Sequence, residues 1–349
     1  MEAWASYGAS DTVLSWLAGG FKLPFRSRVT PFHQGMSLRN LPPDARSWLL
    51  KELQRNIDAG ALEPATSTRF VTKAFLVPKL GCPGRWRLVY DFRHLNQFIK
   101  EMSCKYETLK VLRDILEPND WMFSLDLSDG FWCVPIAPEH RQYLTFAIEG
   151  VGYLQCAALP FGLSCSPYVF TKCMRVLVQA LGSPTRMLEL YEHSASERAA
   201  AARLAASPPS GYVPPLRREP RQPPPQPGEV PTLRSLYRRH RVVMRRGLQV
   251  LPYVDDFLFI LRTRRHALQA RPFVEALLAL LGLSRSPTKG VWEPTQRLKH
   301  LGLGVDSKLM VFFLPPDRRD KIATAAREIL QLRHSLVSLR RLQGFCGLA

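Results

Sequence analysis

The spacing of apolar and polar positions divides the chain into short helices and short strands. Residues 1–43 mix Trp4, Trp16, Phe21, Phe25 and Phe32 with Gly, Pro and Arg, and read as a poorly regular segment packed on the neighbouring domain. Leu49, Leu53 and Ile57 then recur at helical spacing, which predicts a helix with Asp44 as N-cap and Gly60 at its end. Phe70-Val-Thr-Lys-Ala-Phe-Leu-Val-Pro78 alternates as a strand, Gly81-Cys-Pro-Gly84 is a turn and Arg87–Tyr90 a second strand, so 70–92 reads as a hairpin. Lys105–Leu116 predicts a helix ended by Pro118, and Trp121–Leu127 a strand that carries Asp126 at its end. Asp129–Val134 turns back, Tyr143–Ile148 and Tyr153–Ala157 form a hairpin, and Ser166–Leu181 is a helix with Val169, Cys173, Val176 and Leu177 inward. Further on, Arg234–Arg246, Leu268–Leu281 and Asp317–Leu332 read as helices, while Val291, Leu298–Leu303 and Met310–Leu314 read as short strands. Ser338 caps a last helix.

One apolar run, Val250–Leu261, is long enough for two strands and is broken at its middle by Asp255 and Asp256. Adjacent carboxylates in such a run repel each other and are costly to bury. Two readings stay open on this stretch: a polar hairpin end, or a pair held by a cation. An Asp-Asp tip is a poor two-residue hairpin turn, which favours the cation. Asp126 ends another apolar strand, Phe123–Leu127. Two carboxylates from distant strands, meeting at neighbouring strand ends, can hold two Mg²⁺ ions, and that clamp suits in-line phosphoryl or nucleotidyl transfer.

Composition narrows the partner. The chain has 349 residues, 46% hydrophobic, enough for a sizeable core in two or three subdomains. Its net charge of +19 points to a polyanion, most simply nucleic acid. Seven cysteines without a Cys-x-x-Cys pair predict a reduced, intracellular protein without a disulfide framework or zinc site, in nucleus or cytoplasm. No apolar run reaches membrane-spanning length and no secretory signal follows Met1, so no membrane partner is expected. Composition changes at 183: Ala repeats, then Ser207-Pro-Pro and Pro223-Pro-Pro-Gln-Pro227, mark 181–232 as a disordered Pro/Arg/Ala-rich insertion.

Five segments follow one another in a set order. They are Phe70–Asn96 (with Arg85-Trp-Arg-Leu-Val-Tyr-Asp-Phe-Arg93), Ser124-Leu-Asp-Leu-Ser-Asp-Gly-Phe-Trp-Cys-Val-Pro-Ile136, Leu159-Pro-Phe-Gly-Leu-Ser-Cys-Ser-Pro-Tyr-Val-Phe170, Tyr253-Val-Asp-Asp256 and Leu301-Gly-Leu-Gly304. They resemble the fingers motif, motifs A, B and C and the primer-grip hairpin of retroelement reverse transcriptases. The phrases Trp16–Phe25, Arg245–Val250 and Glu293–Gly302 look most like the DIRS-type, tyrosine-recombinase-encoding retrotransposons. The resemblance implies an α+β right-hand polymerase fold: fingers, a palm whose antiparallel sheet is backed by helices, and a partial thumb. The divisions would be an N-terminal extension (1–43), fingers and the start of the palm (44–120), palm with motifs A and B (121–180), the insertion (181–232), palm with the Asp-Asp hairpin and primer grip (233–314), and partial thumb (315–349).

The resemblance also implies roles. Asp126 and Asp255 would be metal ligands, Asp256 would sit beside them, and the Leu127 carbonyl would complete one shell. The cofactor would be two Mg²⁺ ions, with Mn²⁺ as substitute. Lys289, in Pro287-Thr-Lys-Gly290, would protonate the leaving pyrophosphate. Lys79 and Arg87 would hold the triphosphate, with Asp129, Gly130, Phe161 and Gly162 also lining the nucleotide site. Many retroviral enzymes carry Gln where this chain has Phe161. Phe131 would be the steric gate against a 2′-OH, and Tyr253, Leu301 and Gly302 would meet the primer. Implied partners are an RNA or DNA template with its primer, and dNTPs; oligomeric state is not implied. The implied activity is RNA-directed DNA polymerisation. A catalytically inactive, nucleic-acid-binding relic is the alternative, favoured by the insertion and the short thumb.

Overall fold

The structure is a computed structural model and describes residues 1–38, 41–79, 84–104, 106–182, 248–331, 338 and 342–343. The expected insertion (beyond its first two residues), the basic helix at Arg234–Arg246 and most of the last helix lie outside the described residues. In chain order the elements are α1 (Glu2–Ser6), α2 (Asp11–Gly19), β1 (Phe32–His33), α3 (Pro43–Asp58), β2 (Leu62–Pro64), β3 (Phe70–Thr72), β4 (Ala74–Pro78), β5 (Trp86–Tyr90), α4 (Arg93–Asn96), α5 (Leu109–Ile115) and β6 (Trp121–Asp126). They continue with α6 (Pro138–Arg141), β7 (Thr145–Ile148), β8 (Gly152–Cys156), α7 (Ser166–Gly182), β9 (Gln249–Tyr253), β10 (Asp256–Leu261), α8 (Arg264–Leu280), β11 (Arg297–His300), β12 (Leu303–Asp306), β13 (Val311–Phe313) and α9 (Pro316–Leu330). Two units form: Met1–Tyr106 with Leu127–Gly247 and Phe273–Ser286, and Glu107–Asp126 with Leu248–Pro272 and Pro287–Ala349.

The first unit holds a five-stranded sheet of order β1-β3-β7-β8-β2, parallel at β1–β3 and β3–β7 and antiparallel elsewhere, and a separate β4–β5 hairpin. The continuous strand expected at 70–78 is broken at Lys73. Phe70, Val71 and Thr72 are all buried, which one-sided alternation cannot give, and they join the mixed sheet. Only Ala74–Pro78 pairs with Trp86–Tyr90. The N-terminal segment is more regular than its composition suggests. Ser10 Oγ accepts from Val13 N at 3.4 Å and starts α2, and Gly20 ends it at φ +85°, where a Cβ would lie 2.4 Å from Ala137 N. Asp44 is not the N-cap of α3. Pro42 holds that place and Pro43 the first helical position, which needs no N–H donor, so Asp44 falls in the first turn facing the positive helix end. Helix α7 follows its sequence pattern: Val169, Cys173, Val176 and Leu177 are all buried.

The second unit is built on the antiparallel sheet β6-β10-β9. Met122, Leu251, Leu258 and Ile260 from its strands pack with Leu112, Leu116, Leu298 and Val305. Phe123 stacks on Phe259 at 4.5 Å and meets Trp292 edge-on at 5.4 Å. The free edge of β6 is closed by the segment 291–295, through Ser124 N to Val291 O at 2.8 Å and the reciprocal Met122–Thr295 pair at 2.7 and 2.8 Å. A second sheet runs β11-β12-β13. The single strand expected at 298–303 is interrupted by the turn Leu301-Gly302, at φ +49° and +82°, as a two-residue hairpin of this hand requires. Helix α8 starts at Arg264, before the expected Leu268, because Thr263 caps it: its Oγ1 accepts from His266 N at 3.2 Å. Among the described residues no helix is long and apolar enough to cross a membrane.

Candidate active site

Strand register assembles the acids of the second unit. In the β6–β10 ladder Asp256 lies directly opposite Asp126, and in β9–β10 it pairs with Tyr253. The hairpin turn is therefore Val254-Asp255, one residue earlier than an Asp-Asp tip. Val254 takes φ +57°, a backbone state that a β-branched residue adopts at a cost of order 1–3 kcal/mol. That strain sets Asp255 at the turn and Asp256 on the strand. Asp126 and Asp256 thus face each other at the end of one sheet with Asp255 at the adjoining turn, Asp126 buried and the other two half-buried.

Lys289 brings a cation to this group. Its Nζ donates to Asp126 Oδ1 at 2.6 Å. Its backbone is held there by Gly290, at φ +77°, where a Cβ would lie 2.7 Å from Ser124 O and 2.9 Å from Leu125 Cα. Ser124 Oγ accepts from Val291 N at 2.9 Å and fixes the same segment. Gly290 carries no sequence signal of this role beyond its place after Lys289. Gly290→Ala is expected to lower stability by about 1–3 kcal/mol and to lift Lys289 away from Asp126. Thermal denaturation together with a structure of the variant checks this; an unchanged melting temperature contradicts it.

The acids repel one another. Burial, then the charge of Asp126, holds the Asp255 carboxyl above the usual carboxylate range. Burial, then Asp126 and then Asp255, pushes Asp256 up to about 6. A folded-state pKa above the unfolded value of about 3.9 gives stability that is present at low pH and lost as pH rises through 6. Asp256→Asn removes that loss. In EDTA its melting temperature is expected to exceed that of the unsubstituted chain by a margin that widens between pH 4 and 7. A constant or shrinking margin contradicts this.

These residues fit a hard divalent cation: oxygen donors only, three carboxylates against one ammonium, and two acids whose charged forms burial and their neighbours disfavour. Among the described residues no three His, Cys, Asp or Glu close around one point.

The first unit carries the other expected residues. Leu127 is buried and pairs with Arg285. Asp129, in a left-handed turn at φ +48°, is bound by Arg55 Nη1 at 2.8 Å. Arg55 also pairs with Glu52 and lies 5.0 Å over the Trp132 ring. Sequence reasoning does not reach Arg55, which lies far from Asp129 along the chain. Gly130 is packed so that a Cβ would meet Phe170 Cζ at 2.9 Å. Phe131 is only 3% exposed, stacked on Phe170 at 4.6 Å and tilted against Phe161 at 4.5 Å; Phe161 is 57% exposed. Gly162, at φ +90°, is clamped by Asn96, whose Nδ2 donates to Gly162 O at 3.0 Å while its Oδ1 accepts from Ser164 N at 2.9 Å. Arg93 pairs with Asp91 at 2.6 Å. On the β4–β5 hairpin, Arg87 is exposed and Lys79 N donates to Arg85 O at 2.8 Å. In the second unit Tyr253 is exposed before the acid turn, and Leu301-Gly302 forms the β11–β12 turn, with Arg318 Nη1 donating to Gly302 O at 3.2 Å.

Comparison with known proteins gives these residues a context. Residues 77–191 match the family model described as reverse transcriptase (RNA-dependent DNA polymerase). The chain is 24% identical over 153 residues to the Pol polyprotein of equine infectious anemia virus (strain Wyoming), covering 40% of this chain and 13% of that protein. It is 29% identical over 175 residues to the genome polyprotein of Petunia vein clearing virus (isolate Hohn), covering 48% and 8%. It is 29% identical over 154 residues to the Gag-Pol polyprotein of Rous sarcoma virus subgroup B (strain Schmidt-Ruppin), covering 42% and 9%. The chain therefore spans only a small part of the curated relatives it matches. Among solved structures it resembles the foamy viral protease-reverse transcriptase in complex with double-stranded DNA, with a TM-score of 0.58 and 20% identity, over 93% of this chain and 42% of that one. It also resembles the same viral protein in complex with an RNA/DNA hybrid, with a TM-score of 0.57 and 20% identity, over 93% and 32%. That likeness carries the α+β polymerase fold. Over residues 77–191 the chain is thus similar to reverse transcriptase domains, and the relatives it matches are viral Pol and genome polyproteins.

Proposed function

We propose that the chain is an RNA-directed DNA polymerase, extending a primer 3′-OH with dNTPs and releasing pyrophosphate. The observation that carries this is the β6–β10 register, which sets Asp126 against Asp256 with Asp255 at the adjoining turn, in a chain whose residues 77–191 match the reverse transcriptase model. Asp126 and Asp255 would hold the divalent cations, with Asp256 beside them and the Leu127 carbonyl as a further donor. Bound Mg²⁺, or Mn²⁺ in its place, would supply a lowered pKa at the attacking hydroxyl and neutralise charge on the phosphoryl oxygens.

The remaining work falls to side chains. Lys79 and Arg87 neutralise the incoming triphosphate, and Lys289 delivers a proton to the leaving pyrophosphate. Phe131 occupies the space a 2′-OH would need, and the exposed ring of Phe161 with Gly162 forms a floor under the base. Arg55 and Asn96 hold the turns at Asp129 and Gly162 in shape. Tyr253, Leu301 and Gly302 face the primer strand. In this reading 44–120 is fingers, 121–180 and 233–314 palm and 315–349 partial thumb, and the subfamily is the DIRS type. The net charge of +19 supports salt-dependent affinity for a template–primer duplex.

The test is extension of oligo(dT) on poly(rA) with dTTP and Mg²⁺. Time-dependent extension is expected. A well-folded chain that binds the duplex in a salt-dependent manner but adds no nucleotide would be the relic and would overturn the proposal.

A further inference from the structure

The Lys289 ammonium occupies a position where the site wants positive charge. Its contact with Asp126 Oδ1, at 2.6 Å, takes up an oxygen of the most buried acid in the group. A proton donor for a leaving group has no need of that contact. The backbone under Lys289 is fixed by Gly290 lying on β6 and by the two bonds between Ser124 and Val291. The side chain is 49% exposed on a flexible four-carbon stem, so the ammonium can leave Asp126 without any backbone movement.

We infer that Lys289 is a tethered counter-ion of the cation-free site: it competes with the divalent metal for Asp126 and is released toward substrate when the metal takes its place. This rests on the reading of Asp126 as a metal ligand. Without metal, the three acids would face one another with no cation, and the ammonium relieves that repulsion. With metal, a +2 ion and the ammonium on one carboxylate would repel each other, so the weaker and more mobile cation gives way. The exchange also times the site: Lys289 becomes free to meet a phosphate only after the metal has arrived.

The test uses Mn²⁺ alone, without nucleic acid or nucleotide, with free Mn²⁺ read by electron paramagnetic resonance. Lys289→Gln is expected to bind Mn²⁺ about tenfold more tightly than the unsubstituted chain. In EDTA it should melt lower, and it should gain more on addition of Mn²⁺. Lys289→Arg, which keeps the charge, should stay close to the unsubstituted chain. In the unsubstituted chain, acylation of Lys289 followed by mass spectrometry should speed up when Mg²⁺ is added; this arm decides the matter if Lys289→Gln does not fold. Equal or weaker Mn²⁺ binding by Lys289→Gln, or acylation unchanged by Mg²⁺, overturns the counter-ion role and leaves the metal site standing. Absence of Mn²⁺ binding in every variant overturns the metal reading itself.

Discussion

Asp255→Asn is expected to leave the fold intact and to reduce template-directed extension by about 10³-fold or more, in Mg²⁺ and in Mn²⁺ alike. Asn has the shape of Asp but lacks the charge that binds a hard cation. Asp255 sits at the Val254-Asp255 turn and not within the β6–β10 ladder, so no strand pairing depends on its carboxylate. Its ionised form is disfavoured by burial and by Asp126, and removing the charge relieves repulsion. The melting temperature in EDTA should therefore equal or exceed that of the unsubstituted chain while activity collapses. Asp126→Asn should cost as much activity for a different structural reason, since it also strips Lys289 of its partner. A variant at Asp255 that retains more than about a tenth of the activity would contradict the assignment, because an essential metal ligand is not dispensable.

The second large effect concerns sugar choice. Phe131→Val should lower the preference for dNTP over rNTP by about 10–100-fold, the range expected when a pocket loses steric contact of this size. The same change costs stability, about 1–3 kcal/mol, because the ring is buried against Phe170 and Phe161. A companion variant separates the two effects. Phe170→Leu loosens the same stack from the helix side and should lower the melting temperature while leaving the dNTP/rNTP ratio near its original value. Equal incorporation ratios for Phe131→Val and the unsubstituted chain would remove the gate role and leave Phe131 as a core aromatic.

The carboxylates are legible in the sequence because each interrupts or ends an apolar run, where charge is costly without a cation. Their exact pairing is not. Asp256 opposes Asp126 through pairing of two strands remote in the chain, and it follows Asp255 out of a left-handed turn at Val254 that a β-branched side chain argues against on local grounds. Helix α7 follows from periodicity, and the α+β class from the resemblance that the five ordered motifs carry. The break at Lys73 does not, because a strand buried on both faces and an alternating strand run together without a turn residue between them. Arg55 and Gly290 are invisible for another reason. Each acts on a partner remote in the chain, Asp129 or β6, and contacts of that kind arise only from tertiary packing. The N-terminal helices fail the opposite way: α1 and α2 are too short to show a period, though the Ser10-Asp11 start is an ordinary helix cap.

The proposed polymerisation rests on Asp126 and Asp255 sharing divalent metal. A crystal of the chain with primer–template and a non-hydrolysable dNTP, soaked in Mn²⁺ and measured at the manganese absorption edge, tests that requirement most directly. Two anomalous peaks about 4 Å apart, bounded by the carboxylates of Asp126 and Asp255 and with the Lys289 ammonium withdrawn from Asp126, are the expected result. Manganese bound elsewhere, with Lys289 still on Asp126 in the complete complex, would contradict it.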